Sequence, residues 1–310
     1  DDGPTWVSPR RKGSANGSQG SAPQGHESPL GSSRGARVAI PNPNQLGRKL
    51  VFVTGPRNDA TMAEWKSAAP QVEFVVARSM GDALKHAATA DAIDGRFCRP
   101  EFLSQAEQLR WIQVGSAGVD RYVSIPAVRN NKDLVLTNMQ GMHGPSIADH
   151  SIAMLLSLTR ALPAYHTAQR QQRWDRSPGA NTTELNGQTM LVVGLGGIGR
   201  EIAKRAKGFG MRVFGTVRTK RAPPPYVDRL EASDALDDLL PQADVIALAV
   251  PLTDSTRGLF DAERFARCKP GAILINIARG AVIETDAMIE ALRSGQLGGA
   301  GLDVTDPEPL

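Results

Sequence analysis

Thr189-Met190-Leu191-Val192-Val193-Gly194-Leu195-Gly196-Gly197-Ile198-Gly199-Arg200 decides the fold. Thr189 to Val193 is a short apolar, partly β-branched run, the pattern of a buried strand. Gly194, Gly196 and Gly199 follow at the G-x-G-x-x-G spacing. Ile198, Ile202 and Ala206 then recur at helical spacing, and Met211 to Val217 reads as a second strand.

The glycines serve three physical ends. Gly194 allows a tight turn, Gly196 lets a pyrophosphate approach a backbone without a Cβ, and Gly199 lets the helix pack close to the strand. The helix start, at Gly197 and Ile198, offers free N–H groups and the positive end of a dipole to phosphates. A bare match is weak in a chain with 31 glycines. Strand, turn, helix and strand in about thirty residues turn it into a nucleotide site.

The end of the second strand reads the ribose. NAD sites usually place Asp or Glu there for the 2′-hydroxyl. Here Val217 is followed by Arg218, Thr219, Lys220 and Arg221, three cations with no carboxylate nearby in sequence. NADP(H) is therefore the expected cofactor, with NAD(H) as the alternative. A solvated basic loop is the plainer account of the same residues.

Downstream the alternation continues. Strands are expected over residues 244–250, 272–277 and 300–304, and helices over 235–240, 262–268 and 286–293, capped by Ser233, Asp261 and Thr285. From Thr189 this makes a five-strand parallel series, whose ligand lies at the carboxyl ends of the strands. Pro251, Ala278, Arg279 and Asp303 to Glu308 stand there. Arg279 can grip a carboxylate with two parallel hydrogen bonds and polarise an adjacent carbonyl. Glu308, in Asp306-Pro307-Glu308-Pro309, can orient a histidine and raise its pKa.

Upstream, strands are expected over 50–53, 72–77, 90–94, 111–114 and 134–137, with helices over 60–68 and around 80–88. This is a smaller α/β domain over 49–145 with no Gly-rich fingerprint of its own. A long helix over 146–162 leads into a nucleotide domain over 146–310, and residues 163–178, with Trp174, suit a partner-contacting arm. The fold class is α/β: a Rossmann-type parallel sheet plus a smaller flavodoxin-like substrate domain.

Composition sets the outer bounds. Of 310 residues, 1–48 are rich in Gly, Ser, Pro, Gln and Arg and read as a disordered tail. Residues 1–49 hold seven Lys/Arg and three Asp/Glu, which accounts for the whole net charge of +4. That is weak support for a nucleic-acid partner, and none is expected. Cys98 and Cys268 stand far apart and make neither a disulfide nor a metal pattern, so no metal is expected. No apolar run approaches the ~18 residues of a membrane span. A cytoplasmic protein without membrane contact is expected, although the sequence begins at Asp1 rather than Met, which leaves targeting open.

The Gly194–Gly199 fingerprint, Asn276 to Gly280 with Arg279, and Leu302 to Pro309 closely resemble the D-isomer-specific 2-hydroxyacid dehydrogenase family. So do Ser116-Ala117-Gly118-Val119-Asp120, Ile147-Ala148-Asp149-His150 and Val250-Pro251-Leu252-Thr253. The resemblance spans residues 50–310 and implies hydride transfer between nicotinamide C4 and C2 of a small 2-oxo acid such as glyoxylate or hydroxypyruvate. It implies that Arg279 binds and polarises the substrate, that Glu308 pairs with an acid/base histidine, and that Asp303 lies near the nicotinamide carboxamide. It places Gly95 and Arg96 where backbone N–H groups meet the substrate carboxylate. It also implies a homodimer.

One feature departs from the family. Its acid/base histidine lies downstream of the glutamate, and this sequence ends at Leu310. Of His26, His86, His143, His150 and His166, only His143 is placed to substitute. The expectation is a C-terminally truncated, inactive chain. The alternative is a non-catalytic NAD(P)-binding scaffold or corepressor-like protein on the same fold.

Overall fold

The two strand series form two separate parallel sheets. The computed structural model describes residues 47–309. The expected tail lies outside them, except for Gly47 and Arg48, and Arg48 belongs to the fold: its guanidinium donates to both carboxylate oxygens of Asp91, at 2.6 and 2.8 Å. The first sheet contains β1 (Leu50–Thr54), β2 (Val72–Val76), β3 (Ala92–Asp94), β4 (Trp111–Gln113) and β5 (Val135–Thr137), in the order β2-β1-β3-β4-β5. The second contains β6 (Thr189–Val193), β7 (Arg212–Val217), β8 (Arg229–Ala232), β9 (Val245–Leu248), β10 (Ala272–Asn276) and β11 (Leu297–Leu302), in the order β11-β10-β9-β6-β7-β8.

Burial on both faces explains the apolar runs. Every residue of β6 is buried; Leu191 and Val193 join a core with Ile246, Leu248 and Leu274, while Met190 and Val192 join one with Val245, Ala247 and Ile275. That alternation is the period of a strand with helices on each side. Helix Gly144–Thr159 covers the second of these cores through Ala148, Ile152 and Leu155. It comes close to β11, where a Cβ on Gly301 would sit 3.0 Å from that of Met154.

Three strands share one device at their start. Asp91, Asp228 and Asp244 each precede a strand and accept the N–H of Val51, Val213 and Thr189 on the neighbouring strand, at 2.9, 2.7 and 2.8 Å. Each carboxylate also meets a cation: Arg48, Lys207 and Lys269.

The fold corrects three expectations, the strand count of the second sheet and the caps at Thr285 and Ser233. The second sheet has six strands, because β8 is a short edge strand whose Arg229 and Glu231 hide its pattern. Helix Thr285–Arg293 includes Thr285, whose hydroxyl donates to the Asp306 carbonyl instead of capping. Ser233 opens a 3-10 turn and caps nothing, whereas Asp261 does cap its helix, accepting from Arg264 N–H at 2.9 Å. Residues 163–178 are largely helical: Leu162–Arg170 forms a helix and Ser177–Asn181 a 3-10 turn, with Trp174 between them 92% exposed. Strand order reverses between β1 and β3 in one sheet and between β6 and β9 in the other, where crevices open at the carboxyl ends.

Candidate active site

The fingerprint loop sits at the β6/β9 reversal. Gly194 has φ +95°, and a Cβ there would lie 2.8 Å from the Ala249 carbonyl oxygen beyond β9. Its N–H donates to the buried Thr216 hydroxyl at 3.1 Å, which fixes the turn against β7. A Cβ on Gly199 would overlap the Gly194 carbonyl, so helix Gly197–Gly208 meets β6 at backbone contact. Gly196 differs: no atom lies within 4 Å of where its Cβ would be, and no side chain caps the helix it opens. Open space before uncapped N–H groups fits a dinucleotide's diphosphate.

The three cations after β7 have unequal surroundings. Lys220 donates to Glu231 Oε2 at 2.9 Å, and Arg229 donates to Oε1 at 3.2 Å. Those hydrogen bonds, Lys220's first, hold the Glu231 carboxyl below its ordinary range. A carboxylate is therefore close by after all, brought in by the strand that the sequence hides. Arg221 donates to the Leu195 carbonyl at 2.9 Å, which brings its guanidinium to the fingerprint loop. Arg218 is exposed and makes no ion pair among the described residues.

Arg279 follows β10 on a turn pinned by buried Asn276. The Asn276 side chain accepts the Ala278 N–H at 3.0 Å and donates to the Arg279 carbonyl at 3.1 Å. The Arg279 guanidinium donates from Nε to Asp120 Oδ2 at 2.9 Å and from Nη1 to the Ala278 carbonyl at 2.7 Å. It lies over Gly118, where a Cβ would overlap Nη2. The 116–120 loop beneath is held by Asn138, which donates to the Ala117 carbonyl at 2.7 Å, and by Ser116, which donates to the Gly118 carbonyl at 2.9 Å.

A cleft of about 300 Å³ brings these parts together; Gly196, Gly197, Ile198, Pro251, Ala278 and Arg279 all line it. His143 and Asp120 line it too. Other sequence-derived candidates stand elsewhere. Glu308 is exposed, does not line the cleft and makes no hydrogen bond or ion pair among the described residues. Asp303 is half-exposed and lies 3.3 Å from His150 Nε2. Gly95 and Arg96 do not line the cleft. Gly95 packs on Tyr122, and Arg96 lies against Gly55 and pairs with Asp94 at 3.3 Å. Asp120 and Asn276 both lie inside the quoted motifs, but nothing local in the sequence marks either for a role. Only the fold shows that they meet Arg279 and its turn.

The model of the D-isomer specific 2-hydroxyacid dehydrogenase NAD binding domain matches residues 152–310. The chain belongs to that family. It is 34% identical over 264 residues to a D-3-phosphoglycerate dehydrogenase of Mycobacterium tuberculosis, covering 83% of this chain and 44% of that one. It is 37% identical over 215 residues to a glyoxylate reductase of Pyrococcus furiosus, covering 67% of this chain and 63% of that one. A family protein of Aeromonas salmonicida superposes with a TM-score of 0.75 at 37% identity, over 85% of this chain and 83% of its own. The chain spans about half the length of the first of these relatives. Among the described residues, no helix is long and apolar enough to cross a membrane.

Proposed function

We propose that this protein binds NADP(H) and a small 2-oxo or 2-hydroxy acid in one cleft and interconverts the two acids. One observation carries the reading: Arg279 and the open face of the fingerprint loop line the same cleft. The family's NAD-binding model and the resemblance to a glyoxylate reductase support it. A bound nicotinamide supplies the hydride. Gly196, Gly197 and Ile198 hold the diphosphate through backbone N–H groups, Pro251 and Ala278 wall the cleft, and Asp303 lies beyond it beside His150.

Cofactor preference rests on the cations after β7. Arg218 and Arg221 take the 2′-phosphate, and Lys220 contributes less because Glu231 neutralises it. Arg279 grips the substrate carboxylate, and its charge stabilises the oxyanion that develops at C2. Residues 49–145 form the substrate half and 146–310 the cofactor half, and two copies pair through the exposed segment around Trp174.

Proton supply sets the rate. His150 faces Asp303, and His143 lines the cleft without a side-chain hydrogen bond among the described residues. No described histidine meets Glu308. A general acid held away from the substrate lowers the rate by about 10²–10⁴, so slow oxidation is expected. The same observation favours a second reading, a non-catalytic NAD(P)-binding scaffold. Titration with NADPH and NADH, followed by oxidation assays with glyoxylate and hydroxypyruvate, separates the two. Tighter NADPH binding with slow, acid-dependent oxidation supports the enzyme. Tight binding with no oxidation by any 2-oxo acid supports the scaffold.

A further inference from the structure

We propose that Asp120 is the positioning residue for Arg279: it fixes the guanidinium so that its outer edge faces the cleft. The proposal rests on the reading of Arg279 as the substrate-carboxylate anchor. Four N–H groups at the two terminal nitrogens and one at Nε are available to an arginine. Asp120 takes the Nε–H at 2.9 Å, and the Ala278 carbonyl takes one from Nη1 at 2.7 Å. The tip of Nη2 abuts Gly118, which admits it because it has no Cβ. With Nε held by Asp120, Nη1 by the Ala278 carbonyl and Nη2 seated on Gly118, the remaining N–H groups of Nη1 and Nη2 are left to a ligand, the arrangement a bidentate carboxylate needs.

The contact joins loops of different sheets. Asp120 follows β4 and Arg279 follows β10, 159 residues apart. Asp120 is itself fixed: it begins helix Asp120–Val123, and the loop before it is held by Ser116 and Asn138. The pair is 39% and 35% exposed, so it contributes little to global stability. An arginine side chain left free in a cleft would populate many rotamers, and ordering it on ligand binding would weaken affinity. Holding Arg279 beforehand avoids that loss.

Asp120 could instead be a counter-ion that competes with the substrate for Arg279, and substitutions tell the two roles apart. The probe is oxamate, a non-reducible analogue of a 2-oxo acid, titrated into the full chain saturated with NADP⁺. The proteins are the wild type, Asp120→Ala, Asp120→Asn and Arg279→Gln. Asp120→Ala is expected to weaken oxamate by about tenfold, the effect of losing one charged hydrogen bond. Asp120→Asn keeps an oxygen for the Nε–H and restores affinity to within about threefold of wild type. NADPH affinity and melting temperature stay at wild-type values in both, which excludes a merely structural effect.

Oxamate affinity in Asp120→Ala within twofold of wild type overturns the proposal, as does tighter binding in both Asp120 variants. Arg279→Gln checks the underlying reading separately. If it loses oxamate while Asp120→Ala does not, only the positioning role falls. If it binds oxamate like the wild type, the anchor reading falls and the positioning role with it.

Discussion

Two glycines three residues apart in the fingerprint should respond to alanine in opposite ways. At Gly196 the added methyl meets nothing, since no atom lies within 4 Å, and φ −80° suits alanine. Removing a glycine at such a position stabilises by about 0.4–1 kcal/mol through the unfolded chain, a rise in melting temperature of roughly 1–4 °C. The methyl nevertheless enters the space assigned to the diphosphate, so Gly196→Ala should weaken NADPH by at least about tenfold. At Gly199 the methyl overlaps the Gly194 carbonyl, well inside the 3.0 Å that Cβ atoms tolerate. The helix must then move off β6 and its tight packing, which costs about 1–3 kcal/mol and lowers melting by roughly 2–12 °C. Thermal unfolding followed by circular dichroism and NADPH titration by fluorescence measure both effects. Wild-type NADPH affinity in Gly196→Ala, or wild-type melting in Gly199→Ala, refutes the assignment of these glycines.

The remaining predictions concern charge. Arg218→Ala should lower the NADPH-to-NADH affinity ratio by about tenfold, as expected for one charge-assisted phosphate contact, with NADH binding unchanged. Glu231→Gln should raise that ratio by releasing Lys220; competitive titration of the two cofactors reads both variants. Burial tends to raise the Asp244 carboxyl, but Lys269 and the Thr189 N–H outweigh it and hold the pKa below the ordinary value. Its stabilising effect is then fully present above the unfolded pKa of about 3.9 and fades as pH falls through the lower folded value. Asp244→Asn should therefore melt below wild type at neutral pH, with the gap closing below about pH 4. A gap that persists unchanged at low pH would count against this account.

Much of the fold is legible because buried parallel strands announce themselves. Thr189 to Val193 is apolar throughout, since both faces of β6 are covered. Each strand of the first sheet, too, ends within two residues of its expected boundary. β8 escapes because four residues at a sheet edge need only one buried side chain, Leu230, and its charges mimic a loop. Missing it also concealed Glu231, the carboxylate that answers Lys220. The cap expected of Thr285 fails because the helix takes Thr285 into its first turn, with Glu284 at the cap position and the Thr285 hydroxyl donating to the Asp306 carbonyl.

The site was readable in part. Arg279 and the Gly196–Ile198 loop come from motifs, and the fold brings them to one cleft. Asp120 was not readable as a partner of Arg279, because no local pattern links residues 159 positions apart. Glu308 shows the reverse: the motif suggests a paired carboxylate, and the structure leaves it exposed without a partner among the described residues.

The central claim is that the cleft passes a hydride to a 2-oxo acid, and isotope transfer tests it even when turnover is slow. The protein is incubated with glyoxylate and NADPH carrying deuterium at both positions of nicotinamide C4, and the glycolate is analysed by mass spectrometry. The account predicts glycolate with one deuterium at C2, abolished by Arg279→Gln. Unlabelled acid from glyoxylate and every other 2-oxo acid tried, with a protein that is folded and binds NADPH, would contradict it.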